Sequence, residues 1–412
     1  MSQTTDNGKF NMEDASALFK IKYEKLSENI YNSANILLGR CKKSYNFVGS
    51  QLEIAVPQSF AGGVGSGKLP AASKAKYGKA IIQAKSLYAR VTIDRQTIKA
   101  SLKDEGSFVR ATKEVVKKGV ESYMRNLSRC LFSDGTGELG TVSAGTGTAV
   151  LTISDFKEAN FEEGDLVDIE EKVTATGAKS MVAEGLEIIA VDVDLGKITL
   201  SASVTQTSGS TLNSVVMQNS KDNDPQGLAK ALKKFDSTIS PAEKLYNIDK
   251  DRRWSASVVE ASSASISTDL LNKVMLKVEK KCGKAPNLLV CSYTQFEKIL
   301  NILEDQKRYQ VNTRAGIKSK SGADISFSGV EFMSTSGPVG IFPERFADED
   351  KVYALNDNHI HIHHRPDFGW FDDDGTVFLR QADLDGYEAR YGGYLEIYIN
   401  PAFQGVIEDL AV

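Results

Sequence analysis

Asp104-Glu-Gly-Ser-Phe-Val-Arg-Ala-Thr-Lys-Glu-Val-Val-Lys-Lys-Gly-Val-Glu-Ser-Tyr-Met-Arg-Asn-Leu-Ser-Arg-Cys-Leu-Phe-Ser-Asp134 reads as one long amphipathic helix between two stretches that are not helical. Phe108, Val109, Val115, Val116, Val120, Tyr123, Met124, Leu127 and Leu131 recur at the three- and four-residue spacings of a single helical face. Asp104 and Glu105 open the segment, Arg125 and Arg129 lie near its end, and Gly135 and Gly137 follow. Helix-dipole and capping preferences agree with that order. At about 1.5 Å per residue the helix spans roughly 45 Å. A helix of this length is a beam, and its surroundings suggest a building block rather than an enzyme.

Upstream of the beam, Phe47 to Val56 reads as extended, Gly62-Gly-Val-Gly-Ser-Gly67 follows, and Ala80 to Ile93 is extended again. Two strands joined by a long glycine-rich tip describe a protruding hairpin. No acidic residue lies between Glu53 and Asp94, whereas Lys68, Lys74, Lys76, Lys79, Lys85 and Arg90 give the arm six positive charges. Residues 12–43 carry a helical stripe of Leu18, Ile21, Leu26, Ile30, Leu37 and Leu38.

Downstream, Thr136 to Thr148 reads as a Gly/Thr/Ser linker. Ala149 to Asn219 then presents short β-like runs parted by Gly and Asp turns, the spacing of a small barrel or sandwich. From Thr148 to Ser220 there are four basic and twelve acidic residues, a net charge of about -8. After a second linker, Asn219 to Pro225, residues 226–345 read as α/β. A helix over Thr268 to Cys282, a buried strand Asn287 to Cys291 and a helix over Thr294 to Glu304 come in succession. From Lys351 the chain returns to strands and ends in Gly393-Tyr-Leu-Glu-Ile-Tyr-Ile-Asn-Pro401.

The bulk numbers narrow the class. The chain has 412 residues, 41% hydrophobic and 25% charged, enough for two or three cores. A net charge of -4 argues against a protein that coats nucleic acid with Lys and Arg. Cys41, Cys130, Cys282 and Cys291 lie far apart, without metal or redox spacing, and read as thiols of a reducing compartment. The N-terminal stretch lacks a signal peptide's basic and apolar regions, and no run approaches the ~18 apolar residues of a membrane span.

Three motifs invite chemistry. Gly62 to Gly67 with Lys68 matches most of a phosphate-binding loop, but Leu69 stands where a metal-holding Ser or Thr belongs and Pro70 follows. A hairpin tip is the favoured reading; a nucleotide-binding enzyme using Gly62 to Lys68 is the alternative from another class. His359, His361, His363 and His364 fall within six residues, yet alternate positions on one strand lie about 7 Å apart. A polar strand face is favoured over a metal site. Asp372-Asp-Asp374-Gly375 lacks the later ligands of a calcium loop and reads as a turn. The sequence assigns no catalytic residue, cofactor or metal. The basic arm can be solvated, grip nucleic acid, or lie on an acidic surface of another copy. With only Phe60 and Tyr77 to interleave its charges, contact with another subunit is favoured.

The order of parts resembles the major capsid proteins of tailed bacteriophages, whose fold is named after phage Hong Kong 97. Tyr123 to Gly137, Glu163-Gly-Asp-Leu-Val-Asp-Ile169, Leu245-Tyr-Asn-Ile-Asp-Lys-Asp-Arg-Arg-Trp254 and Gly393 to Ala402 are similar to stretches of that family. The resemblance implies an α+β fold laid out in six parts. These are an N-terminal arm over 1–46, an E-loop over 47–95, a P-domain spine helix over 96–145, a β-rich insertion over 146–222, an A-domain over 223–345 and returning strands over 346–412. It implies a non-enzymatic shell protein that forms hexamers and pentamers and encloses a genome, with the arm's six basic residues as intersubunit contacts. With only about 45 residues ahead of the arm, a separate scaffolding protein is expected, beside a portal and non-specific contact with DNA. No membrane is involved. The particle would be the virion, assembled in the host cytoplasm. An encapsulin-like shell is the alternative within the fold, and the β insertion favours the phage.

Because Leu69 and Pro70 break the nucleotide-loop pattern, purified protein is expected to bind neither ATP nor GTP in isothermal titration. Lys68→Ala is expected to leave that result unchanged.

Overall fold

The computed structural model describes residues 36–45, 47, 49, 51–59, 76–94, 105–238, 243–305, 315–318, 324–327, 330–334, 337–365, 369–371, 377, 379–381 and 385–412. A short helix α1 (Ile36–Arg40) leads into strand β1 (Lys42–Ser44), then β2 (Gln51–Ser59), β3 (Lys76–Gln83) and β4 (Lys85–Asp94). Helix α2 (Glu105–Phe132) is the beam, 28 residues long, and its first twelve residues are described by backbone alone. Phe108, Val109, Val115 and Val116 of the sequence stripe therefore lie outside the described side chains. The remainder behaves as the spacing predicts: Val120, Tyr123, Met124, Leu127 and Leu131 are all 1% exposed or less.

The helix rests on a six-stranded sheet. Parallel pairing joins β1 to β20 (Ile360–His364), which runs antiparallel to the 14-residue strand β23 (Gly386–Ile399). Along its N-terminal portion β23 pairs with β4, and the short strands β21 (Gly369–Trp370) and β22 (Leu379–Arg380) complete the sheet. Tyr123 of α2 meets Tyr391 of β23 edge-on at 5.2 Å between ring centroids. A side chain at Gly119 would collide with Val91 of β4, so glycine lets helix and sheet approach.

A second sheet of six strands forms the α/β part, in the order β13 (Ser257–Ala264), β24 (Gly405–Leu410), β19 (Val352–Leu355), β14 (Leu288–Cys291), β18 (Gly337–Pro343) and β17 (Val330–Ser334). Between the barrel described next and this sheet lie α3 (Leu228–Ala231) and the pair β11 (Lys244–Leu245) and β12 (Ile248–Asp249). Helix α4 (Thr268–Cys282) packs on the sheet through Val274, Met275 and Val278; α5 (Tyr293–Asp305) follows β14, and β15 (Ala315–Lys318) pairs with β16 (Asp324–Phe327). Ser267 caps α4 by accepting from the Leu270 amide, and Gly283 ends it at φ 72°.

The insertion is a closed barrel of β5 (Glu138–Ala144), β6 (Thr148–Ile153), β9 (Lys197–Val204), β8 (Lys179–Asp192), β7 (Leu166–Val173) and β10 (Ser210–Met217). Leu139, Leu151, Ile153, Val167, Ile169, Ile188, Ile198 and Val215 fill its interior. Two sequence expectations need correction. The Thr136–Thr148 linker contains β5: Leu139 and Val142 point into the barrel while small Thr and Ser residues occupy the other face, and the low-complexity look came from that face. The run Ala80 to Ile93 is two strands, not one. β3 pairs back on β2, whereas β4 leaves the hairpin to join β23.

Residues 224–227 pass directly under the end of α2. A Cβ on Gly227 would run into the carbonyls of Cys130 and Leu131. Gly227→Ala is therefore expected to lower the melting temperature sharply or abolish soluble expression. Leu127→Ala, a buried truncation with no clash, is expected to cost about 2–5 kcal/mol in chemical unfolding.

Candidate functional site

Two features stand out for interaction: the arm and a cleft beside the barrel. The arm is the two-stranded β2–β3 ribbon. Val56, Ala80 and Ile82 are buried along one face of it, and the Ile81 amide donates to the Tyr246 carbonyl at 2.9 Å. Its outer side keeps Tyr77 60% exposed. Lys79 reaches across the ribbon to Glu53 at 2.6 Å, an exposed pair of small energetic weight.

The six basic residues of the sequence reading therefore separate. Lys68 and Lys74 lie outside the described residues, as do the glycines of the loop motif, and of Lys76 only the backbone is described. Lys85 and Arg90 stand on β4, which continues from the root of the ribbon into the sheet. Lys85 donates to the Asp222 carbonyl at 2.9 Å, and Arg90 pairs with Glu388 of β23 at 2.6 Å. Both serve the chain's own packing, because β4 belongs to the sheet.

The cleft, about 670 Å³, opens between the barrel, the end of α2 and the second sheet. Asp134, Glu138 and Asp155 line one side, with Glu349, Asp350 and Glu408 opposite. Burial raises the Glu408 carboxyl, and Asp350, Asp348 and Glu260 push it the same way, against Lys351. At the bottom a charged clasp joins barrel to sheet. Lys157 of the barrel and Lys351 both hold Asp348, the latter at 2.7 Å, and the Tyr353 hydroxyl donates to the same carboxylate at 3.0 Å. Burial alone would raise the Asp348 carboxyl, but the two ammonium groups outweigh it and hold it down at about 2.

Nearby, Arg129 of α2 pairs with Asp224 at 2.7 Å, their side chains 6% and 5% exposed. On the barrel side Arg125 ties α2 to Asp165 at 2.5 Å and also to Glu162. The Gln226 amide donates to Glu396 of β23 at 2.7 Å. Burial pushes that carboxyl up to about 8. Sequence reasoning missed the clasp. Lys157 and Asp348 are 191 positions apart, and nothing in the local pattern of either points to the other.

The histidines do not form a polar outer face. His363 is 9% exposed and His364 1%, with His361 half-buried. Among the described residues no group of three or more His, Cys, Asp or Glu is placed to hold a metal ion. The turn at Asp372 to Gly375 lies outside the described residues. Among the described residues, no helix is long and apolar enough to cross a membrane.

Residues 199–368 match the family model described as the SU10 major capsid protein. No curated protein sequence matches the chain. Among solved structures, the capsid asymmetric unit of cyanophage A-1(L) matches at a TM-score of 0.51 and 12% identity, over 91% of this chain and 93% of that one. The structure titled Mycobacterium phage Patience matches at 0.41 and 10%, over 100% and 91%. The holo-SrpI encapsulin complex from Synechococcus elongatus PCC 7942 matches at 0.41 and 8%, over 91% and 86%. The first of these likenesses establishes the fold, an α+β fold of the Hong Kong 97 capsid type.

The clasp has a definite pH signature. The Asp348 carboxyl is depressed in the folded state, so its contribution is present above about pH 4 and is lost as pH falls toward 2. The shift from 3.8 to about 2 corresponds to about 2 kcal/mol. Asp348→Asn is expected to flatten that acid limb in urea unfolding. Lys157→Met is expected to cost about 1–3 kcal/mol, most of it read at barrel amides in hydrogen exchange.

Proposed function

We infer that this chain is a major capsid protein of a tailed bacteriophage, the kind of protein its family model and its fold describe, and that many copies close into an icosahedral shell around the genome. The observation that carries the reading is the combination of one long helix laid on a mixed sheet with a two-stranded ribbon that packs one face on the main core. Such a chain has much surface and few places for chemistry. The role is structural, without a catalytic step.

In this reading the ribbon is the E-loop, α2 the spine of the P-domain, the second sheet the A-domain at each capsomer's centre, and the barrel a lateral or outward decoration. The ribbon reaches an adjacent subunit, with Lys68, Lys74 and Lys76 as its contact residues. Lys79 contributes less, since Glu53 already neutralises it. Lys85 and Arg90, turned to Asp222 and Glu388, hold the ribbon's root rather than the neighbour. Electrostatic matching of this kind sets register and on-rate more than affinity. A separate scaffolding protein and a portal complete the assembly, and DNA meets the shell without specific contacts. Assembly takes place in the host cytoplasm and the product is the virion.

Light scattering with negative-stain imaging of the expressed protein, alone and with its scaffold, tests this. Megadalton closed particles or capsomer rings are expected. A chain that stays at about 45 kDa under both conditions overturns the reading. Lys68→Glu with Lys74→Glu is expected to leave the folded monomer unchanged while lowering the yield of closed particles at least tenfold; an unchanged yield removes the arm lysines from the interface.

A further inference from the structure

The whole-chain charge of -4 conceals a partition. The barrel region from Thr148 to Ser220 carries about -8, whereas residues 226–284 hold twelve basic and seven acidic residues, a net charge of +5. That stretch contains α3, the β11–β12 pair, β13 and α4. Four of its cations converge on one surface. Arg252 and Arg253 stand exposed on the turn ahead of β13, and among the described residues neither guanidinium has an ion-pair partner. Lys277 and Lys281 lie one turn apart on α4 and reach across to the same stretch. Lys277 donates to the Val258 carbonyl, and Lys281 to the Ser255 carbonyl and hydroxyl. Lys277 and Arg252 both act on Lys281, which joins turn and helix electrostatically.

The carboxylates beside this surface are committed elsewhere. Asp251 accepts from the Arg253 and Trp254 amides at 2.7 and 2.6 Å, and Glu260 takes Lys234 at 2.6 Å. Glu243 is shared by Lys250, Lys230 and Lys233 at 3.1, 3.3 and 3.7 Å. One carboxylate cannot neutralise three ammonium groups. The surplus shows in the ammonium groups themselves. Burial, joined by Lys277 and Arg252 and opposed by Asp251, lowers Lys281 to about 8. Burial, joined by Lys233 and Lys230 and opposed by Glu243, lowers Lys250 as well. A fold that holds cations against one another is relieved when a polyanion lies over them.

The same surface lacks what a protein partner grips. Among the described residues, no large apolar side chain from 226 to 275 is exposed, and α4 exposes only Leu276. Protein interfaces concentrate their energy in apolar and aromatic anchors, whereas duplex interfaces are polar and positively charged. The acidic barrel of a second copy is a poorer match, because many of its carboxylates are already held. Lys179 and Lys221 take Glu170, Arg125 takes Asp165 and Glu162, and Asp168 accepts from the Gly185 and Asn219 amides.

We propose that Arg252, Arg253, Lys277 and Lys281 form a phosphate-binding band that lies along the backbone of duplex DNA, on the face the subunit turns to the packaged genome. Naming the genome as the source of the duplex rests on the shell reading; the polyanion chemistry rests on the band alone. The two guanidinium groups offer forked donors that match phosphate oxygens, and the two lysines act as point charges. Contacts of this kind position a duplex without reading its sequence.

Fluorescence anisotropy of a short labelled duplex of random sequence tests the band, using full-length protein kept below its assembly concentration. Four phosphate contacts predict a slope of log K against log salt of about -4. Arg252→Gln with Arg253→Gln is expected to flatten that slope by about 2 and to weaken binding at least tenfold near 0.1 M KCl. Should that pair disturb the turn, Lys277→Gln alone is expected to flatten it by about 1. Lys68→Glu with Lys74→Glu is expected to leave duplex binding as it is. Binding unchanged in both band variants overturns the proposal, and so does a loss confined to the arm variant. Self-association lost in the band variants, with duplex binding intact, overturns it in favour of the acidic barrel of a second copy. Closed particles without band-dependent duplex binding sink this proposal and leave the shell standing; band-dependent binding without particles, even with scaffold, does the reverse.

Discussion

The architecture hangs on a buried ion pair at the end of the long helix. Arg129 sits on the face of α2 that turns inward, and Asp224 waits for it where the barrel hands the chain on to the second sheet. An unpaired charge at either place would be costly, because removing one partner of a buried pair leaves the other without water or counter-charge. The pair therefore fixes where the barrel ends. Gly135 and Gly137, at φ 89° and 82°, fix where it starts, since the tight exit from the helix needs backbone that L side chains rarely adopt. Entry and exit lie side by side, and so a closed barrel can be set into the chain without disturbing the sheets around it.

From that junction two cores extend. One lies between α2 and the sheet of β1, β20, β23 and β4, where Tyr123 and Tyr391 meet and Gly119 admits Val91. The other lies between α4 and the sheet led by β13 and β24. The barrel keeps a third core of its own. Ion pairs tie it to its surroundings, Arg125 to Asp165 and Glu162 and Lys157 to Asp348, and Ala159 joins the main core. Apolar burial makes each body firm, and ionic contacts set how the bodies meet. Apolar cores hold their shape, while charged seams choose a register.

Much of this was legible from residue order. The spacing of Val120, Tyr123, Met124, Leu127 and Leu131 gives the beam, and Ser267 and Gly283 bracket a helix whose ends the sequence places at Thr268 and Cys282. Short apolar runs with Gly and Asp turns give a small barrel or sandwich, and the pairing of β10 with both β5 and β7 closes it into a barrel. The failures have physical causes too. β5 hides its Leu139 and Val142 among Thr, Ser and Gly, so half a strand looks like a linker. Ala80 to Ile93 is extended throughout, but strand propensity says nothing about the partner, and the chain changes partner at Ala84. Lys85 and Arg90 were thereby assigned to an arm they do not belong to.

The amino-acid sequence by itself determined the elements: which stretches become helix or strand, where the barrel's alternation runs, and that a basic ribbon and an acidic module share one chain. Those properties follow from spacing, turn residues and local charge, which act over a few positions. Tertiary structure alone decided which charges are spent within the chain. Lys157 finds Asp348, Arg129 finds Asp224, and of the four histidines that read as a polar strand face, His363 and His364 are buried. Burial and counter-charge are properties of the packed interior, set by residues far apart in the chain, and no local pattern carries them.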